Sequence, residues 1–263
     1  EFLAAMLNSQ PLGFYSASQL VQDAKRHGVE VRRVDVMSSE WDCTLEGLPH
    51  PPAVRLGLRL VVGLKAESAL RILKARRERP FDGAEDLARR AEIEQHEMTL
   101  LAAADALMSL DGHRRQPVWE AAGQRSAPQL LKQAPVNEEE LELPAAPEGE
   151  EVVWDYAATG LTLRRHPLAI LRPVLAKQGW CTAAELHDLP DGRLARACGI
   201  VTVRQQPETA KGVMFVSLED ETGSVQVIVW PKLKAQLRGP LLRSKLMAVK
   251  GTWQRDGDVR NLI

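Results

Sequence analysis

Gly63, Leu64 and Lys65 stand between the apolar run Leu60-Val61-Val62 and a segment, Ala66 to Glu78, whose composition is helical. Glycine ahead of a helix lets backbone approach an anion closely, and the first N–H groups of the helix then face that anion with the positive end of the macrodipole behind them. The chemistry on offer is phosphate binding. From Val54 to Pro80 there are eight basic residues, Arg59 and Lys65 among them, against two acidic ones, Glu67 and Glu78. A second glycine turn of the same flavour follows at Gly112, His113, Arg114 and Arg115. A plainer reading also stands: Ala66, Ala69, Leu70 and Leu73 make an apolar stripe, and Glu67, Arg71, Lys74 and Glu78 a solvated opposite face with a Glu67–Arg71 pair.

A further set lies near the C-terminus. From Gly192 to Ile263 twelve basic residues face six acidic ones. Arg204 and Lys211 flank the polar stretch Gln205–Ala210, and Trp253 and Arg255 lie in a strand-like run. Trp253, Trp230 and Phe215 can each serve as a stacking platform for unpaired bases or as core.

Groups that could do covalent chemistry do not converge. Asp256 and Asp258 have the spacing of a metal-binding pair, yet Asp256-Gly257-Asp258 is also a strong hairpin-turn signal. The six histidines are scattered, and His166 before Pro167 reads as a capping or packing residue. Cys43, Cys181 and Cys198 are too far apart and too few for a four-cysteine zinc site, and their odd number fits a reducing, cytoplasmic setting. Walker, G-x-S-x-G and G-x-G-x-x-G motifs are missing. No catalytic or metal-ligating residue and no cofactor is therefore assigned to these residues.

The positioning elements follow from periodicity. Residues 1–28 read as helices, and Val29–Val36 alternate as a short half-buried strand. Pro51 to Ala122 reads as short helices punctuated by Gly63, Pro80, Gly83, Gly112 and Pro117, the pattern of tandem helix-hairpin-helix units. Residues 134–151 hold seven glutamates and three prolines without periodicity and read as a linker. Two helices around His166–Trp180 and Cys181–Leu189 precede four or five strands, with a helical Pro231–Leu237 between the third and fourth. That order is that of an oligonucleotide-binding (OB) barrel, which the sequence leaves cut within its fifth strand. The expected fold is multidomain α+β.

With 263 residues, 44% of them apolar and 26% charged, the chain has the composition of a globular protein, and its net charge of −1 hides the basic segments. It lacks a long apolar run or a leader pattern, so no membrane partner is expected. It opens without Met and closes directly after a strand-like run, which reads as a piece of a longer protein.

Four collinear stretches, Phe2–Tyr15, Gly28–Glu46, Gly57–Leu73 and Gly160–Leu175, resemble bacterial family C DNA polymerases, and Trp41–Glu46 with His166–Pro173 resemble their error-prone, DnaE-like (ImuC-type) branch. The resemblance implies the end of a fingers domain over 1–50, tandem helix-hairpin-helix over 51–125, an acidic linker over 126–165, and a helical lead-in with OB-fold over 166–263. It implies that Gly63, Leu64 and Lys65, and again Gly112 to Arg115, grip duplex primer-template DNA while the barrel meets single-stranded template. For the intact protein it implies a translesion polymerase of the SOS response using Mg²⁺, with a palm lying upstream, and a Y-family-like accessory protein and the sliding clamp as partners. Lys65 stands where the commoner hairpin has a second glycine. Two other readings remain: an NAD-dependent DNA ligase piece, whose barrel would precede its hairpins and carry a four-cysteine zinc site, and a non-catalytic single-strand or tRNA-binding module, which leaves residues 1–165 unexplained.

Overall fold

The computed structural model describes residues 1–13, 15–47, 51–111 and 146–263, with the Asp111 side chain excepted. They divide into two compact units, 1–164 and 165–263.

The first unit opens with α1 (Phe2–Asn8) and α2 (Ala17–Arg26). Ser16 starts α2 with a capping box, accepting from the Gln19 N–H while the Gln19 side chain accepts from the Ser16 N–H. Three short strands follow, β1 (Val31–Arg32), β2 (Thr44–Glu46) and β3 (Ala53–Arg55), in the order β1-β3-β2. β3 is parallel to β1 and antiparallel to β2. The sequence reading anticipated only β1: runs of three residues are too short for alternation to show.

A 3₁₀ turn, Leu58–Leu60, leads to α3 (Ala66–Glu78), α4 (Ala84–Arg90), α5 (Gln95–Ala103) and α6 (Met108–Asp111). The segment before Gly63 is thus one 3₁₀ turn, not the end of an α-helix. The buried face of α3 is Ser68, Ala69, Ile72, Leu73 and Ala75, while Ala66 and Leu70 are exposed. The expected stripe was therefore rotated by about one residue. The partner of Arg71 is also different: it donates to the carbonyls of Ala91 and Glu92 and meets Glu97 at 3.4 Å, so no Glu67–Arg71 pair forms. One apolar core runs through the unit from Leu3 to Leu161, with Leu7, Val36, Leu58, Ile72, Leu87 and Leu101 in it.

A second correction concerns the end of the acidic stretch, of which residues 134–145 lie outside the described residues. Glu148 to Thr159 form a helix, α7, ended by Gly160 in the left-handed region at φ +74°. Three glutamates in its first turn complement the helix dipole, which explains how a charge-rich segment starts a helix after Pro147.

In the second unit α8 (Pro167–Lys177) is capped by His166, whose ring Nδ1 accepts from the Leu168 N–H at 3.2 Å. α9 (Ala183–Asp188) begins with a Thr182–Glu185 capping box. The barrel comprises β4 (Leu194–Gln205), β5 (Met214–Glu219), β6 (Ser224–Val229), β7 (Leu246–Asp256) and β8 (Val259–Leu262), closed in the order β4-β5-β6-β8-β7. Between β6 and β7 lie α10 (Pro231–Gln236) and α11 (Arg238–Arg243). The fifth strand is short and pairs with both neighbours, closing the barrel. Gly251 permits this closure: a Cβ there would lie 2.3 Å from the Ile263 carbonyl oxygen. Arg172 on α8 reaches Glu221 at 2.5 Å and Asp220 at 3.4 Å in the β5–β6 turn, tying the helical lead-in to the barrel.

Candidate nucleic-acid interface

The Val61–Gly63 turn is held from two sides. Leu64 N–H donates to the Val61 carbonyl at 3.2 Å, and Val62 N–H donates to the Ala158 carbonyl of α7 at 2.8 Å. Gly63 has φ +88°, and a Cβ on it would meet Leu100 Cδ1 at 3.2 Å, so both conformation and space call for glycine. Lys65 is the N-cap of α3, in extended conformation, and its side chain makes no cap bond. Among the described residues no acceptor meets the N–H groups of Gly63, Lys65, Ala66 and Glu67. Four backbone donors on exposed residues are therefore left to solvent at the positive end of a 13-residue helix.

Leu64 is not one of them. Its N–H is used in the turn and its side chain is buried, so of the three expected hairpin residues Gly63 and Lys65 remain available and Leu64 anchors the turn. Arg59 is also committed, donating to the Asn8 carbonyl and to Asp42, both at 2.7 Å.

The basic surplus around the hairpin is largely spent inside the fold. Arg55 pairs with Glu46 at 2.8 Å. Arg76 donates to the Val36 and Ser39 carbonyls and to Glu40. Arg79 meets Asp82 and Asp86. Asp86 sits among three arginines: its burial raises its pKa, but Arg90, Arg89 and Arg79 outweigh that and hold it below the usual carboxylate range. The neutralising carboxylates lie outside Val54–Pro80 in the sequence. Lys65 and Lys74 have no partner among the described residues, and Arg77 is largely exposed beside Glu40. Gly112, His113, Arg114 and Arg115 lie outside the described residues.

In the barrel the expected residues separate. Trp253 is 1% exposed and packs in the core, so it is no platform. Its ring lies edge-on to His187, with centroids 6.3 Å apart. Arg204 donates to the Leu241 carbonyl at 2.7 Å and to that of Ser244, fixing the end of α11, and is not free for phosphate. Lys211 is exposed at φ +48° in the turn before β5, and Arg255 is exposed at the end of β7, its N–H held by Asp191. Asp256 to Asp258 form the β7–β8 turn, with Gly257 at φ +58°.

The sequence reading left Phe215 open between platform and core and missed the rest of the outer face of the sheet. Met214, Val216 and Leu218 of β5 and Val225, Val227 and Val229 of β6 point into the core. Alternation then places Phe215, Ser217, Gln226 and Ile228 outside, all half-buried. Phe215 pairs with Ile228, Ser217 donates to Gln226 at 2.7 Å, and Asn261 of β8 sits beside Gln226. An aromatic ring next to a row of amides is suited to stacking on a base and bonding its edge. Only the strand register, which alternation alone does not give, could have picked these residues out.

No group of three or more His, Cys, Asp or Glu stands together to hold a metal among the described residues. The Mg²⁺ implied for an intact polymerase thus finds no ligand set in them. Among the described residues no helix is long and apolar enough to cross a membrane.

Comparison with known proteins agrees with this fold. Residues 28–117 match the family described as helix-hairpin-helix motif, and residues 195–262 match that described as OB-fold nucleic acid binding domain. The whole chain aligns with proteins named error-prone DNA polymerase: 53% identical to that of Bordetella parapertussis, 52% to that of Azoarcus sp. and 47% to that of Methylococcus capsulatus. The alignments cover 100% of this chain but 25%, 25% and 27% of those relatives, so it spans about a quarter of their length. The chain is an α+β assembly of a helix-hairpin-helix region followed by an OB-fold, similar throughout to a section of error-prone DNA polymerases.

Proposed function

We propose that this chain is the DNA-holding section of an error-prone, DNA-directed DNA polymerase. The helix-hairpin-helix unit grips the backbone of duplex primer-template, and the barrel takes the single-stranded template on its outer sheet face. The observation that carries this reading is the set of four unpaired N–H groups at Gly63, Lys65, Ala66 and Glu67, which suit a phosphate oxygen and ignore base identity. A polymerase that copies any sequence requires such contacts. Catalysis, with Mg²⁺ at the palm of the intact protein, lies outside this chain's residues. In the intact protein a Y-family-like accessory protein and the sliding clamp are its partners in translesion synthesis, and its setting is the cytoplasm.

The test is fluorescence anisotropy of the 263-residue chain with primer-template duplexes of unrelated sequence. Equal affinities falling steeply with salt, without nucleotide incorporation, are expected. Failure to bind at 50 mM salt, or a strong preference for one sequence, refutes the reading.

A further inference from the structure

We propose that the flank of the barrel formed by α10 and α11 is a second nucleic-acid contact, on which Trp230 stacks a base where a single strand leaves the outer sheet face. This deepens the single-strand reading above and rests on it.

Trp230 follows Val229 in extended conformation at φ −68°, ψ 152°, so the alternation of β6 continues through it. It projects on the same side as Gln226 and Ile228 and is 53% exposed, unlike Trp253. A large aromatic ring left half in water at the end of such a face is a platform without a base.

The chain around it is one-signed. From Ser224 to Arg255 no carboxylate occurs, while seven lysines and arginines do. Lys232, Arg238, Arg243 and Lys245 in this stretch have no ion-pair partner among the described residues, in contrast to the arginines of the first unit. Cations that fold stability does not consume are free for an anionic strand.

The loop before β5 completes the platform. A Cβ on Gly212 would lie 3.5 Å from Pro231 Cγ, so this loop, with the exposed Lys211 beside Gly212, packs against the start of α10. Lys234 also bonds to Gln206 across the same junction. Leu233 and Leu237, 45% and 49% exposed at three and seven residues beyond Trp230, extend its stripe along α10. Leucines alone would suit an apolar peptide. The unpaired cations and the ring's continuity with Phe215 and Ile228 favour a polynucleotide.

The experiment titrates the 263-residue chain with oligo(dT) of about 5 and about 15 nucleotides, lengths within and beyond the reach of one sheet face. For Trp230→Ala, affinity for the longer strand is expected to fall about tenfold, and Trp230→Phe to recover most of it, while the shorter strand binds as before. Lys232→Ala with Arg238→Ala should lower the salt slope for the longer strand by about 1.4. Unchanged affinity of Trp230→Ala for the longer strand overturns the proposal and leaves the flank to a protein partner. An equal loss for both lengths also overturns it, since Trp230 would then belong to the sheet-face site. If the shorter strand fails to bind the unaltered chain and Phe215→Ala changes nothing, the single-strand reading itself has failed, which is a different outcome.

Discussion

Two substitutions two residues apart should separate geometry from charge at the hairpin. Gly63→Ala puts a methyl on a residue at φ +88°, with Leu100 Cδ1 3.2 Å from the new Cβ. The left-handed conformation costs an L-residue about 1–2 kcal/mol, and Leu100 is a flexible side chain that can yield. For a unit of 164 residues that corresponds to a fall in Tm of roughly 2–8 °C. If the turn relaxes instead, the N–H groups of Gly63 and Lys65 swing away and duplex binding falls with little loss of stability. Lys65→Ala acts otherwise: the side chain is exposed and makes no bond, so Tm should stay constant. Losing one phosphate contact lowers the log–log salt slope for duplex by about 0.9, so the mutant's relative deficit shrinks about 3.5-fold between 50 and 200 mM salt. Anisotropy with one duplex across that range, alongside thermal melts, reads both. An unchanged slope in Lys65→Ala, or wild-type binding together with a wild-type Tm in Gly63→Ala, would show that the hairpin does not meet the backbone.

Two predictions concern the barrel unit. Gly251→Ala should prevent closure, because the added Cβ would sit 2.3 Å from the Ile263 carbonyl oxygen, an atom of the backbone that Thr252 N–H binds at 2.7 Å; a native-like melt of the second unit would contradict the argument. The Arg172 pair should make this unit acid-sensitive: burial pushes the Glu221 carboxyl up, but hydrogen bonds from Arg172 outweigh it and leave it lowered. A lowered carboxylate contributes stability above its unfolded pKa and loses it as pH falls through the folded one, so melts should weaken in the acid range below ordinary glutamate titration. Arg172→Ala should cost about 1–2 kcal/mol at neutral pH, between an exposed and a buried pair, and flatten that dependence; an unchanged pH profile would show that the pair does not tie α8 to the barrel.

Legibility in the sequence followed the range of the interaction concerned. The hairpin turn, the cap at His166, the helices α8 and α9 and the barrel order all arise from local signals: glycine, proline, capping residues and runs of β-branched residues. The three-residue strands, the rotation of α3 and the outer sheet face depend on pairings across the fold, which no local period encodes. Charge shows the gap most plainly. Arg59 and Arg204 looked like phosphate ligands because their neighbours in sequence are not acidic, yet Asp42 and the Asn8 carbonyl claim one, and the Leu241 carbonyl the other.

That failure carries a physical rule for this chain. Arginine's planar fork satisfies several carbonyls and carboxylates at once, so a partly buried arginine is absorbed by the fold, whereas a lysine on a flexible stem at an exposed turn is left over. Lys65, Lys74, Lys211, Lys232 and Lys245 are unpaired among the described residues, while Arg55, Arg59, Arg71, Arg76, Arg79, Arg172 and Arg204 are bound. At the hairpin a duplex therefore meets mainly lysines and backbone N–H groups, which act as point charges and dipoles rather than as forks that read base edges. Contacts of this kind fix the position of a duplex without selecting its sequence, so the same partition that misled the count of charges accounts for a grip indifferent to what is being copied.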